Sequence, residues 1–196
     1  SLTDSGLKFS FTSTGSHQVR KAGVIFRTIM VASKTKPLKV NLTVASSTTA
    51  SNIILHLRLK DPWSNAVRAG VKWRINAYDV FFYVDGEQVE SQDVGSYAFP
   101  HRVFITIGSQ GITMGVEGLA TCLCDIPDDW EATVVLVAYI YVDVAQSGYD
   151  YYALLRSLEI TWSETYAASW LFVDIGGFYV PWPVFLVPVA ITAWVA

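Results

Sequence analysis

The sequence predicts an all-β protein, a β-sandwich or jelly-roll-like domain of about nine to eleven strands with little helix. Three observations carry that reading. Apolar and polar residues alternate with period two in run after run, as they do in strands with one face in a core. The runs are bounded by turn chemistry: Lys36-Pro37, Asp61-Pro62, Asp85-Gly86, Phe99-Pro100, Ser109-Gln110-Gly111 and Ser147-Gly148. The apolar stretches are rich in β-branched and aromatic residues, which favour extended backbone over helix.

Along the chain, Leu7, Phe9 and Phe11 alternate with Lys8 and Ser10. The polar stretch 13–22 follows, so residues 1–22 read as an N-terminal strand and connector. Residues 23–32 are apolar on both faces, interrupted by Arg27 and Thr28. Such a strand is central in its sheet or covered. Val40, Leu42 and Val44 alternate with Lys39, Asn41 and Thr43, and residues 46–51 read as a loop. Leu55, Leu57 and Leu59 alternate with His56, Arg58 and Lys60, which puts His56 on the polar side and predicts a solvated imidazole. Val71, Trp73 and Ile75 continue the pattern. Asp85-Gly86, between 81–84 and Val89, predicts a hairpin with a type I′ turn, because both central residues must take positive φ. Val103, Ile105 and Ile107 alternate in turn. Residues 133–145 are apolar on both faces, a second central strand. Within 151–162, Asp150 could cap a short helix, but the alternation of Leu158, Ile160 and Trp162 favours a strand.

The 196 residues make a single domain, with 175–196 set apart as an apolar C-terminal segment. A hydrophobic fraction of 52% excludes a disordered chain. A net charge of −3 with no Lys/Arg run excludes a basic nucleic-acid binder. The three histidines, His17, His56 and His101, are far apart in sequence, and no nucleophile elbow, zinc-protease or phosphate-loop motif is present. The expectation is a protein with no catalytic residues, no metal and no cofactor. Asp125, Asp128, Asp129 and Glu131 match no calcium-loop spacing and read as an acidic surface loop. Cys122 and Cys124 point to one side of a strand, at or beyond comfortable disulfide reach, and read as two free thiols.

Residues 175–196 carry no charge. Pro181, Pro183 and Pro188 argue against a membrane-spanning helix there, since each interior proline costs a helix about 3 kcal/mol. Such a segment must be buried in its own domain, in a membrane or in a neighbouring subunit. Strand addition to a neighbour makes Leu7, Phe9, Phe11, Phe178, Val180, Trp182, Phe185, Val187, Ile191 and Trp194 candidate interface residues. An opening at Ser1 rather than Met fits a processed, exported chain, in which Asn41 of Asn41-Leu42-Thr43 would be open to glycosylation.

In this overall character the chain resembles the secreted β-sandwich pilus and thread subunits of archaea. The resemblance implies a non-enzymatic, extracellular homopolymer assembled by donor-strand complementation, with copies of itself as its partners. Two alternatives stand beside it: a jelly-roll viral capsid protein, and a cell-surface carbohydrate-binding sandwich. For the last, the abundant tyrosines, Tyr139, Tyr141, Tyr149, Tyr151 and Tyr152 among them, would supply sugar-stacking surfaces. Asp85-Gly86 and its flanks resemble a legume-lectin hairpin faintly, without that family's sugar and metal residues.

Overall fold

In a computed structural model the described residues are 2–3, 6–12, 18–48, 53–145, 150–165, 170–175 and 178–183. In chain order they form β1 (Leu2–Thr3), β2 (Gly6–Thr12), β3 (Gln18–Ser33), β4 (Leu38–Ser47), β5 (Ile53–Lys60) and β6 (Val67–Arg74). A single 3-10 turn (Ile75–Ala77) precedes β7 (Asp79–Val84), β8 (Glu87–Asp93), β9 (His101–Gly108), β10 (Gly111–Val116) and β11 (Ala120–Cys124). Then come β12 (Glu131–Ala145), β13 (Asp150–Trp162), β14 (Glu164–Thr165), β15 (Trp170–Ile175) and β16 (Phe178–Pro183).

Two seven-stranded antiparallel sheets result, in the orders β1-β2-β13-β4-β9-β10-β11 and β14-β3-β12-β5-β6-β7-β8. The all-β sandwich is as expected. Among the described residues the strands outnumber the expected nine to eleven, in part because two-residue segments (β1, β14) and the separate β15–β16 ladder carry no alternation that a sequence reading could detect.

The alternating residues explain the layers. Val40, Leu42 and Val44 of β4, with Val103, Ile105 and Ile107 of β9, line the inner face of the first sheet. Leu55, Leu57 and Leu59 of β5, with Val71 and Trp73 of β6, line that of the second. All are buried in one core, and each such side chain contributes about 1.5–3 kcal/mol by leaving water. β3 and β12 are interior strands of the second sheet, as their two-sided apolarity predicts. Residues 151–162 are strand, within β13. Asp85 and Gly86 take φ of 49° and 87° between β7 and β8, which makes the expected hairpin. The loop expected over 46–51 begins later, since β4 continues to Ser47.

The two sheets meet at one open side through their terminal strands. Gln92 of β8 points inward and reaches β11: its Nε2 donates to the Thr121 carbonyl at 2.9 Å, and the Thr121 N–H donates to its Oε1 at 3.3 Å. One amide side chain thus pairs with the backbone of β11, the last strand of its sheet among the described residues.

Candidate functional site

The outer face of the second sheet concentrates chemistry. Antiparallel register sets Tyr139 (β12) opposite His56 (β5), His56 opposite Lys72 (β6), and Lys72 opposite Phe81 (β7). One row away on the same side lie Tyr141, Ile54, Arg74 and Asp79; on the other lie Val137, Arg58, Gly70 and Tyr83. These positions face outward because their neighbours Leu55, Leu57, Val71, Trp73, Ala138 and Ile140 fill the core.

The row is a layered aromatic and cationic surface. The His56 ring stacks on Tyr139 with centroids 4.7 Å apart and meets Tyr141 edge-on at 6.2 Å. The Arg58 guanidinium lies 5.7 Å from the Tyr139 ring centroid, and Lys72 Nζ lies 4.8 Å from that of Phe81. Gly23 adjoins Tyr139 on β3, and a Cβ there would fall 2.3 Å from the Tyr139 Cβ. Only glycine lets the tyrosine occupy its place.

His56 is not the solvated imidazole its alternation suggests. It is 5% exposed, and its Nδ1 is buried without a hydrogen-bond partner. Burial, followed by the positive charges of Arg58, Lys72 and Lys60, pushes its pKa down to about 3. It is therefore neutral at physiological pH, able to accept a proton or a hydrogen bond. Burial likewise raises the pKa of Tyr139, with Arg58 opposing, so its phenol stays protonated and can donate. Asp79 is held by Arg74 at 2.9 Å, and Asp93, opposite Asp79 on β8, accepts the Gly95 N–H at 3.1 Å.

A second aromatic group closes one end of the sandwich. Tyr97, Phe99 and His101 surround Trp73, with Tyr97 5.3 Å and Phe99 5.9 Å from it between ring centroids. Tyr97 donates to the Ile75 carbonyl, and His101 Nδ1 lies 3.1 Å from that of Glu117. These contacts pack the core rather than open a surface.

The residues expected to mediate subunit exchange fall elsewhere. Leu7, Phe9 and Phe11 lie on β2, which is paired with β13 within its own sheet, and Phe9 is buried in the core. Phe178, Val180 and Trp182 lie on β16, paired only with β15. Phe185, Val187, Ile191, Trp194 and His17 lie outside the described residues. Asn41 is buried, its Nδ2 3.5 Å from Glu159 Oε2, so its amide faces a carboxylate. The acidic loop is tied down by lysines. Lys34 Nζ reaches Asp125 and Asp128 at 3.2 and 2.8 Å, and Lys36 Nζ reaches Glu131 at 2.9 Å. Among the described residues no group of three His, Cys, Asp or Glu side chains is placed to hold a metal ion. Among them, too, no helix is long and apolar enough to cross a membrane.

No family model matches the chain, and no curated protein matches it in sequence. Solved structures do match in fold. Alginate lyase AlgAT5, from polysaccharide lyase family 7, superposes with a TM-score of 0.50 at 10% identity, covering 83% of this chain and 82% of that one. A family 7 alginate lyase, A1-II′, in complex with product gives 0.51 at 15% identity over 82% and 81%. A sialidase gives 0.51 at 14% identity, covering 86% of this chain and 16% of that one.

These neighbours are carbohydrate-active proteins, not filament subunits. They correct the expectation drawn from the archaeal pilus resemblance, that of a non-enzymatic, donor-strand-exchanging filament subunit. That expectation weighed apolar ends and sparse charge, which a sandwich that folds its N-terminal strand into its own sheet shares with a polymer. Of the site residues, His56, Arg58 and Lys72 lie in alternating runs, Tyr139 in the run apolar on both faces and Phe81 beside the Asp85-Gly86 turn. Only their register across strands makes them neighbours.

Proposed function

We propose that this protein is a carbohydrate-active sandwich that binds and cleaves an acidic polysaccharide on the outer face of its second sheet. The observation that carries the reading is the Tyr139–His56–Lys72–Phe81 row, flanked by Arg58 and Arg74. Aromatic rings offer flat surfaces to the C–H faces of sugar rings. The guanidinium and ammonium groups offer charge-assisted hydrogen bonds to carboxylates along an anionic chain. The alginate lyases that share the fold act, by their names, on alginate, and that supports the same direction.

The chemistry on this face suits β-elimination better than hydrolysis. Glycoside hydrolysis ordinarily takes two carboxyl groups flanking the scissile bond. Here Asp79 and Asp93, one row from His56, are engaged by Arg74 and by the Gly95 N–H. Elimination takes instead a cation beside the substrate carboxylate, a neutral base and a proton donor. Arg58 and Lys72 supply the first. Burial, Arg58, Lys72 and Lys60 hold the His56 pKa at about 3, so His56 can take the proton from the carbon next to the carboxylate only once the bound polyuronate's carboxylates offset those cations; the Tyr139 phenol can protonate the departing glycosidic oxygen. The C–H and C–O bonds break, a C=C bond forms, and no water is consumed.

The test is to offer the protein polyuronates beside neutral glucans, following binding by calorimetry and cleavage by the ultraviolet absorbance of the unsaturated product. Binding of polyuronate with a rise in absorbance is the expected result. Equal affinity for neutral glucans, or no binding to either, overturns the reading.

A further inference from the structure

Cys122 and Cys124 stand apart from this face. Both lie on β11, the last strand of the first sheet, and as residues i and i+2 they share one side. Cys122 is buried opposite Met114, and Cys124 is partly buried opposite Ile112. Both thiols are free, and their Sγ atoms are 3.4 Å apart. Two steps along a strand separate Cα atoms by about 6.6 Å, the upper end of the span a disulfide bridges. A disulfide here sits at the stretched limit of that span, and closing the 3.4 Å gap between the sulfurs draws the two residues together. Strain of that kind makes a bond easily reduced, the mark of a labile disulfide rather than a permanent staple.

The surroundings supply the remaining parts. Burial, followed by the neighbouring Glu90 carboxylate of β8, raises the pKa of the Cys122 thiol and holds it protonated. Thr121, directly before Cys122, is the residue that Gln92 clamps. Any contraction of 122–124 pulls on that clamp.

We propose that Cys122 and Cys124 are a redox-active pair, reversibly oxidised by a small-molecule disulfide to an intrastrand disulfide whose closure releases Thr121 from Gln92. The more accessible Cys124 attacks first as its thiolate, forming a mixed disulfide and expelling one thiol. Cys122 then attacks the Cys124 sulfur, its proton passing to the departing thiolate, and the second thiol is expelled. Two protein thiols become one disulfide, and the external disulfide is reduced to two thiols.

The experiment places the purified protein in glutathione buffers of rising oxidised-to-reduced ratio, alkylates the remaining thiols and weighs the product. The expected product has lost two hydrogens, takes no alkyl group and no glutathione, and returns to the dithiol on reduction. In Cys122→Ser a stable glutathione adduct at Cys124 is expected, and in Cys124→Ser the buried Cys122 should remain unmodified. In the oxidised wild type, hydrogen exchange at the Thr121 amide should rise about tenfold or more. A wild-type protein that accumulates the glutathione adduct, or stays doubly alkylated at every ratio, overturns the pair. Oxidation with unchanged Thr121 exchange overturns the release of the clamp. The wild-type measurements decide both points even if a serine variant fails to fold.

Discussion

The His56 imidazole lies against the Tyr139 ring, centroids 4.7 Å apart and planes inclined by 19°. The two residues are 83 positions apart in sequence and become neighbours because β5 and β12 pair antiparallel in register. The stack covers the imidazole, and burial disfavours its charged form. Arg58 and Lys60 on its own strand and Lys72 on the next repel the same charge. A neutral ring in a cationic setting is the property on which the proposed binding and chemistry rest.

His56 makes stability depend on pH with a definite sign. Its pKa is 6.5 in the unfolded reference and about 3 in the fold. Between those values the unfolded chain binds the extra proton, so this residue's contribution falls as pH falls below 6.5 and is flat above it. The slope is up to about 1.4 kcal/mol per pH unit. Denaturant unfolding at a series of pH values should show that loss, and His56→Gln should remove that part of it. An unchanged profile in the variant would place the acid sensitivity elsewhere.

Arg58 and Lys72 should decide selectivity between charged and neutral sugars. Arg58→Ala or Lys72→Ala removes one charge-assisted contact, worth about 1.5–3 kcal/mol, or about tenfold or more in affinity for a polyuronate. The loss should shrink with added salt, since the wild-type affinity itself is screened. Calorimetry with the polyuronate at two ionic strengths checks this. A neutral oligosaccharide of equal length should bind wild type and variants alike.

Gly23 tests whether the tyrosine's position matters. A methyl group there would meet the Ala138 carbonyl oxygen at 2.3 Å and the Tyr139 Cβ at 2.3 Å, both too close to be absorbed by rotating a side chain. Gly23→Ala should cost about 1–3 kcal/mol through forced backbone shifts. It should also weaken polyuronate binding more than its stability loss explains at temperatures where the variant is fully folded. Thermal unfolding and calorimetry on the same sample separate the two effects.

What the sequence made legible follows from the range of the interactions involved. Alternation is local, so Leu55, Leu57 and Leu59 announce a strand and its inner face without help. The Asp85-Gly86 turn is equally local, because positive φ is a property of those two residues. The site is not local. Alternation placed His56 on the outer face correctly but could not show that Tyr139, Tyr141 and Lys72 would surround it there. Solvent exposure was inferred from a strand considered alone, and neighbouring strands reversed it. The same limit hides the partner of Leu7, Phe9 and Phe11, since β13, which pairs with their strand, lies some 140 residues later.

Asp85 allows the turn's backbone and its ion pair to be told apart. Its carboxylate meets Arg68 Nη1 at 3.1 Å and accepts the Trp130 indole N–H at 3.0 Å, so the β7–β8 hairpin is fastened to the segment before β12. Asn tolerates left-handed φ and keeps an acceptor for the indole, losing only a partly exposed ion pair. Asp85→Asn should therefore cost under about 1 kcal/mol. Asp85→Ala gives up the indole bond and puts an ordinary side chain at φ of 49°, which adds about 1–2 kcal/mol of strain to about 1 kcal/mol of lost bonding. Equilibrium unfolding of the two variants should rank alanine well below asparagine. If the two instead fall together, the charge on Asp85 and its pairing with Arg68 hold this corner, and the left-handed turn is incidental.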